Sequence, residues 1–161
     1  MDIIHSPSDD NSDVIMMYTD GGCHNTGDRK GDGSYAFLFR PRINTKFVYV
    51  YCEYIKDTTN NRMELTAIIE ALRALKEGCK VILTSDSKYL VDAIEKGWLD
   101  SWKKNGWRKS DRSEVLNVDL WQRLIVQLEK HTVSFVWVHG HTGHEYNERC
   151  DVLATTFADS L

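Results

Sequence analysis

The chain has no uninterrupted apolar run of about 18 residues, the length that a transmembrane helix needs. We therefore expect no membrane span and no membrane partner. A C-x-x-C pair is also missing, since the four cysteines are spread over positions 23, 52, 79 and 150. Together with the lack of a secretory leader, this spacing favours reduced thiols and a cytoplasmic location.

The chain as a whole also lacks an excess of positive charge. Its net charge of −4 and pI of about 5.8 argue against a surface that binds nucleic acid everywhere. The basic residues are concentrated instead. Residues 96–112 contain six lysines or arginines and two aspartates, a net of +4, so the rest of the chain carries −8. This asymmetry indicates one localised basic segment.

With 161 residues, of which 42% are hydrophobic and 27% charged, the chain can form one ordinary globular domain. Residues 1–13 are polar and rich in Asp, Ser and Asn, which predicts a flexible N-terminal tail. Residues 14–161 form the predicted single domain. No internal repeat and no second core is indicated.

Apolar and β-branched runs predict strands at 14–19, 35–40, 46–54, 80–84 and 133–138. A glycine-rich loop is expected to reach residue 34, and the first three strands then form an antiparallel meander. The run at 80–84 is continuously apolar, which is typical of a strand buried in parallel pairing. Leu65, Ile68, Ile69, Leu72 and Leu75 follow the helical period, which predicts a helix from 61 to Gly78. Further helices are expected from Ser87 to 97, around 118–128 and at 147–158. This is a mixed α/β domain.

Four acidic residues stand in unusual local settings: Asp20, Glu64, Asp86 and Asp151. Asp20 and Asp86 each follow an apolar strand, so parallel neighbouring strands would bring their carboxylates together. Four convergent carboxylates could not stay ionised without cations. Their convergence would indicate a divalent metal site and chemistry on phosphates.

Each acid also has a purely structural interpretation. Asn61-x-x-Glu64 fits a capping box, and Asp20 before two glycines fits a turn. Asp86 with Ser87 could cap a helix, and Asp151 could complement a helix dipole. One metal site accounts for all four residues together, whereas the alternatives need four separate explanations.

Three histidines, His139, His141 and His144, lie in one short segment. Such spacing is compatible with zinc, for which Cys150 is a further candidate ligand. A solvated glycine-containing loop is the simpler explanation. The carboxylates suit a hard cation better than zinc.

Five motifs, quoted in order along the chain, carry a resemblance to a known family. They are Thr19-Asp20-Gly21, the run Thr58 to Leu65, Ser85-Asp86-Ser87-Lys88-Tyr89, the run Asn117 to Trp121, and Gly140-His141-x-Gly-His144-x-x-Asn147-Glu148-x-x-Asp151. From about residue 14 to 158 the chain closely resembles type 1 ribonuclease H. The resemblance implies a ribonuclease H-like fold, a five-stranded mixed sheet with three antiparallel strands followed by two parallel ones, flanked by helices. Residues 14–161 would form the catalytic domain.

The resemblance also implies roles for the acids. Asp20, Glu64, Asp86 and Asp151 match the family's four metal-binding carboxylates, with two Mg²⁺ per site and Mn²⁺ as an alternative. Asp20 would bridge the ions, Asp151 would act on the attacking-water side, and Glu64 and Asp86 on the leaving-group side. The implied reaction is endonucleolytic hydrolysis of the RNA strand of an RNA–DNA hybrid, with 5′-phosphate and 3′-hydroxyl products. We expect the hybrid to be the partner of a monomeric enzyme.

Further residues acquire expected roles by the same resemblance. His141 matches a mobile-loop histidine that moves protons or assists product departure, and His144 matches a second position of less defined role. Thr59 and Asn117 match positions that bind a DNA phosphate, whereas Asn60 and Asn61 match contacts to the minor groove. The basic segment matches the family's protrusion that grips the DNA strand, with Trp98, Lys103 and Lys104 as the candidate contacts.

Three departures from the family pattern concern substrate contacts. The loop from His24 to Ser34 is longer than in compact relatives of the family. Lys88 stands where a glutamine that reads the minor groove is frequent, and remains a candidate substrate contact that would raise affinity while lowering selectivity. Asp57 stands where a basic residue is common near the phosphate pocket. Two other functions stay open from sequence: a DNA-processing nuclease of the same fold, and a non-catalytic hybrid-binding module.

Overall fold

The computed structural model describes residues 14–23, 31–41, 49–76 and 78–139. Within these ranges the chain alternates between one sheet and the helices that cover it. The strands are β1 (Ile15–Cys23), β2 (Gly31–Pro41), β3 (Tyr49–Thr58), β4 (Lys80–Ser85) and β5 (Thr132–Trp137). The helices are α1 (Asn60–Arg73), α2 (Lys88–Glu95), α3 (Trp98–Lys104) and α4 (Val118–Lys130).

The five strands form one mixed sheet in the order β3-β2-β1-β4-β5. β1 pairs with β2 and β2 with β3 in antiparallel register. β4 then joins β1 in parallel, and β5 joins β4 in parallel. The predicted fold class is confirmed, including the change from antiparallel to parallel pairing. That change gives β1 and β4 the same direction, which positions the site described below.

The main core lies between the sheet and helix α1. Met17, Phe37 and Phe39 of the sheet are fully buried against this helix, and their burial stabilises the fold by about 1.5–3 kcal/mol per side chain. The five residues predicted from the helical period are all buried, as expected: Leu65, Ile68, Ile69 and Leu72 in α1, and Leu75 just beyond its end. A smaller cluster around Tyr18 and Leu38 forms separately.

An aromatic cluster joins the remaining helices. The ring of Trp102 in α3 meets that of Trp121 in α4 edge to face, with 5.5 Å between centroids. Tyr89 of α2 lies 6.2 Å from Trp121 in a similar orientation. Such edge-to-face pairs are favourable beyond the area that they bury. No helix among the described residues is long and apolar enough to cross a membrane.

The element boundaries differ from the predictions in several places. β1 continues to Cys23 and β2 starts at Gly31, so part of the predicted loop is strand, with Gly22 opposite Ser34. β3 runs to Thr58, beyond the predicted end. α1 ends at Arg73 rather than Gly78. The basic segment contains helix α3, which was not predicted because its closely spaced tryptophans and lysines hide the helical period. The predicted tail 1–13 and the helix at 147–158 lie outside the described residues.

Candidate metal centre and substrate-contacting residues

Asp20 and Asp86 meet because β1 and β4 run parallel in matched register. Tyr18 pairs with Thr84, and each acid lies two residues further along its own strand direction. The carboxyl ends of parallel strands lie at the same edge of a sheet, so the two acids reach the same place. Asp20 is 5% exposed.

Glu64 reaches this edge because helix α1 packs unusually close to β1. At Gly21, a Cβ would lie 2.4 Å from the backbone carbonyl carbon of Met63 and 2.6 Å from the amide nitrogen of Glu64. Only a residue without a side chain permits that approach. The turn weighed as an alternative for Asp20 before two glycines is therefore wrong: Asp20 and Gly21 lie in β1, and Gly21 provides room for the helix.

The three carboxylates of Asp20, Glu64 and Asp86 form one cluster, in which ligand oxygens lie within 4.8 Å of one another. Burial of Glu64 raises the pKa of its carboxyl well above the ordinary value, and the charges of Asp20 and Asp86 raise it further. A buried oxygen of Glu64, Oε2, has no hydrogen-bond partner among the described residues. Clustered, buried carboxylate oxygens are the donors that a hard divalent cation takes. These residues fit such an ion.

The loop that carries Asp86 is held by its neighbours. Trp137 of β5 donates its indole Nε1–H to the carbonyl oxygen of Asp86 at 3.2 Å. The hydroxyl of Ser85 accepts a hydrogen bond from the amide of Ser87 at 3.1 Å. On the outer side, the ammonium of Lys88 lies 5.5 Å from the centroid of the Trp137 ring, at cation–π distance. A cation thus stands beside the acidic edge.

The structural explanations weighed for Glu64 and Asp86 have different outcomes. The capping box is wrong, because Thr59 is the N-cap of α1 and its hydroxyl accepts from the amide of Arg62 at 3.3 Å. Ser87 does cap α2, as predicted, by accepting from the amide of Leu90. Asp86 itself belongs to the carboxylate cluster.

The remaining predicted catalytic residues, Asp151 and His141, lie outside the described residues, as do His144, Cys150 and the predicted last helix. Of the three clustered histidines, only His139 is described. It is exposed, and its ring lies 4.2 Å from that of Trp137. Within the described ranges, the candidate metal cluster contains carboxylates alone.

Several of the predicted substrate contacts gather at the start of α1. The side-chain oxygen of Asn60 accepts from the amide of Cys23 at 2.7 Å, which ties β1 to the helix. Asn61 is exposed. Asn117 is joined to the same region through Arg62, whose guanidinium donates to the side-chain oxygen of Asn117 at 3.2 Å. Arg62 was quoted in the sequence motif but given no role, because its partners lie far along the chain.

The basic segment divides into buried and exposed parts. Trp102 is 8% exposed and belongs to the core, whereas Trp98 is 37% exposed. Lys103 and Lys104 are both exposed on α3. The nitrogen of Lys103 lies 4.0 Å from a carboxylate oxygen of Glu129. The structure therefore leaves Trp98 and the two lysines accessible to a partner.

Comparison with known proteins accounts for this arrangement. Residues 12–159 match the family model described as RNase H. The chain belongs to the ribonuclease H family. As a member of this metal-dependent family, the protein is an enzyme, a ribonuclease, and its carboxylate cluster is a candidate metal site.

Individual relatives agree with this assignment. The chain is 43% identical to ribonuclease H of Clostridium botulinum over 147 residues, covering 91% of this chain and 97% of the relative. It is 48% identical to ribonuclease H of Proteus mirabilis over 146 residues, covering 91% and 87%. Among solved structures, LC9-RNase H1, described as a type 1 RNase H with the type 2 active-site motif, superposes with a TM-score of 0.76 at 30% identity, covering 95% of this chain and 75% of that one.

Proposed function

We propose that this ribonuclease hydrolyses the RNA strand of RNA–DNA hybrids endonucleolytically, leaving 5′-phosphate and 3′-hydroxyl ends. The observation that carries the proposal is the meeting of Asp20, Glu64 and Asp86 at one edge of the sheet, within 4.8 Å. Family membership supports the class of reaction, and the carboxylate cluster supports this edge of the sheet as its proposed site.

Asp20, Glu64 and Asp86 would hold the metal, with Asp151 as the fourth ligand. Two Mg²⁺ ions at such a site would stabilise the charge that develops on the phosphate and lower the pKa of the attacking water. The carboxylates would position these charges, and the buried oxygen of Glu64 has no hydrogen-bond partner in the described part of the chain. His141 would move protons or assist product departure, a task that suits a group titrating near neutral pH.

The proposed substrate contacts form two groups on the chain. Thr59, Asn60 and Asn61 lie at the start of α1, with Asn117 joined to them through Arg62. Lys88 stands beside the acidic edge, and Trp98, Lys103 and Lys104 project from α3. Neutral donors at the start of α1, with cations at Lys88 and on α3, would fit a duplex in which one strand is cut and the other is only held.

Cleavage of hybrid, duplex DNA and duplex RNA, each with and without Mg²⁺, tests the proposal. We expect cleavage of the hybrid alone, with dependence on the metal. Asp20→Asn and Glu64→Gln should each lower kcat by on the order of 10³-fold or more, because these groups act as one unit. A wild-type rate in Asp20→Asn would contradict the mechanism.

Glu95→Gln is the matched control, because Glu95 is an exposed carboxylate on α2. It should retain the wild-type rate. Cleavage of duplex DNA by the wild type would favour the DNA-processing function instead. Tight hybrid binding without cleavage at any metal concentration would favour a pure binding module.

A further inference from the structure

Asp86 differs from the other two carboxylates of the described cluster in the element that carries it. Asp20 lies in strand β1 and Glu64 in helix α1, whereas Asp86 occupies the turn between β4 and α2. Turn residues are held less firmly than residues of strands and helices. Asp86 is also half-buried, whereas Asp20 and Glu64 are buried. Restraint of the Asp86 carboxylate beside the other two therefore has to come from its neighbours.

The peptide group that follows Asp86 is hydrogen-bonded by side chains at both of its polar atoms. Its carbonyl oxygen, which belongs to Asp86, accepts from the indole Nε1–H of Trp137 at 3.2 Å. Its N–H, which belongs to Ser87, donates to the hydroxyl oxygen of Ser85 at 3.1 Å. Because a peptide group is planar, the two bonds together restrict the torsion angles on either side of it, ψ of Asp86 and φ of Ser87. The direction in which the Asp86 side chain leaves the backbone is thereby defined.

Trp137 is itself held in place by the sheet and by two side chains. It pairs with Ser85 in the parallel register of β4 and β5, and the amide of Val138 donates to the carbonyl oxygen of Ser85 at 3.1 Å. The centroid of the Trp137 ring lies 5.5 Å from the ammonium of Lys88 and 4.2 Å from the centroid of the His139 ring. These contacts restrict rotation of the indole, so its N–H stays directed at the carbonyl oxygen of the turn.

We propose that Trp137 is a positioning residue for the metal site. Its indole N–H, together with the Ser85 hydroxyl, holds the peptide group after Asp86 so that the carboxylate stays directed at Asp20 and Glu64. A carboxylate that is already in place loses little freedom when it binds a cation, so the affinity for the cation rises. In this role Trp137 acts through Asp86 and needs no contact of its own with metal or substrate. The inference rests on the proposed function for the reaction that the metal serves.

Titration of the protein with MgCl₂ in the absence of nucleic acid tests this role by NMR. Trp137→Phe keeps an aromatic ring but removes the N–H donor, so the indole signal of Trp137 is assigned by its disappearance in this variant. In the wild type that signal should shift with Mg²⁺, because its acceptor belongs to a residue of the metal site. Trp137→Phe should raise Kd for Mg²⁺, read from backbone amide signals of the turn, by about threefold or more, and the further substitution Ser85→Ala should bring the rise to about tenfold or more.

Trp121→Phe is the matched control. It also removes an indole N–H, but one that has no hydrogen-bond partner among the described residues. Trp121 is fully buried in the core, so this substitution should lower the melting temperature, because the smaller ring leaves a cavity. It should leave Kd for Mg²⁺ unchanged. The comparison separates positioning of Asp86 from a general loss of stability.

Cleavage of an RNA–DNA hybrid at several Mg²⁺ concentrations gives a second readout. Trp137→Phe should lower kcat at low Mg²⁺, and high Mg²⁺ should restore most of it, with KM for the hybrid within about twofold of wild type.

Four results would each overturn the inference: a wild-type Kd for Mg²⁺ in Trp137→Phe, an equal loss of Mg²⁺ affinity in Trp121→Phe, a loss of kcat that high Mg²⁺ does not reverse, or no binding of Mg²⁺ by the wild type. The titration needs no hybrid. A wild type that binds Mg²⁺ but cuts no hybrid would therefore refute the proposed function alone.

Discussion

Gly21 is the residue on which the approach of α1 to β1 depends most directly. A Cβ at this position would lie 2.4 Å from a backbone atom of Met63, far inside contact distance. Since backbone cannot rotate away, the start of α1 would have to shift. That shift would separate Glu64 from Asp20, which precedes Gly21 in the strand.

We therefore expect Gly21→Ala to lower the free energy of unfolding by about 1–3 kcal/mol, as overpacking does. Cleavage should fall further than stability alone explains, by up to about a hundredfold, because a small displacement of catalytic groups is costly. Thermal denaturation and hybrid cleavage on the same samples test this. Gly22→Ala is the matched control, because its added Cβ would meet nothing within 4 Å. Equal behaviour of the two variants would contradict the close-packing argument.

At the scale of elements, the pair formed by Arg62 and Asp119 joins the start of α1 to the start of α4. The side-chain hydrogen bond from Arg62 lowers the pKa of the Asp119 carboxyl. A lowered pKa means that the folded state favours the ionised form. The stabilisation is therefore present above the unfolded pKa of about 3.9 and is lost as the pH falls through the folded value.

Asp119→Asn should accordingly lower the free energy of unfolding by about 0.2–1 kcal/mol at neutral pH, since the Asp119 side chain is 62% exposed. The difference from wild type should stay constant down to about pH 5 and shrink below about pH 4. Urea denaturation across that range measures it, with Glu95→Gln as a surface control. A difference that persists undiminished at acidic pH would show that the ion pair is not its origin.

The two tryptophans of helix α3 differ in burial: Trp102 lies in the core, whereas Trp98 is exposed to solvent. Trp102→Ala should cost about 3–5 kcal/mol of stability, because the ring is buried against Trp121. Trp98→Ala should change stability by only about 0.5 kcal/mol, yet weaken hybrid binding by about 1–3 kcal/mol if bases or sugars rest on it. Denaturation and hybrid binding of both variants test the division. A large loss of stability in Trp98→Ala would show that this ring also belongs to the core.

At the scale of the whole molecule, charge is segregated rather than balanced. Residues 96–112 carry a net charge of +4 although the chain carries −4. Hybrid affinity should therefore depend strongly on salt concentration, and a few cations of residues 96–112 should account for most of that dependence. Lys104→Ala should lower the slope of log K against log salt by about one. Lys103→Ala should lower it less, because Glu129 already lies 4.0 Å from its ammonium. Lys80→Ala is the control, because Lys80 lies at the start of β4 and away from the acidic edge. If Lys80→Ala changed the salt slope as much as Lys104→Ala, binding by the basic segment alone would be contradicted.

Local patterns in the sequence were enough to predict most elements and their order. The period of Leu65, Ile68 and Leu72 places α1, and the apolar run before Asp86 places β4, because burial on one face or both is encoded residue by residue. The ordered motifs also carried the family resemblance. Asp151 and His141 stay predictions, since they lie outside the described residues.

Contacts between distant parts of the chain needed the tertiary structure. The meeting of Asp20, Glu64 and Asp86 depends on the register of β1 against β4 and on how closely α1 approaches Gly21. The link from Arg62 to Asn117 spans 55 positions and leaves no periodic signal. The sequence by itself determined which carboxylates are candidates and which segments carry them. Only the folded chain decided how far apart they lie and which neighbours hold them in place, because distance and direction are properties of packing rather than of local composition.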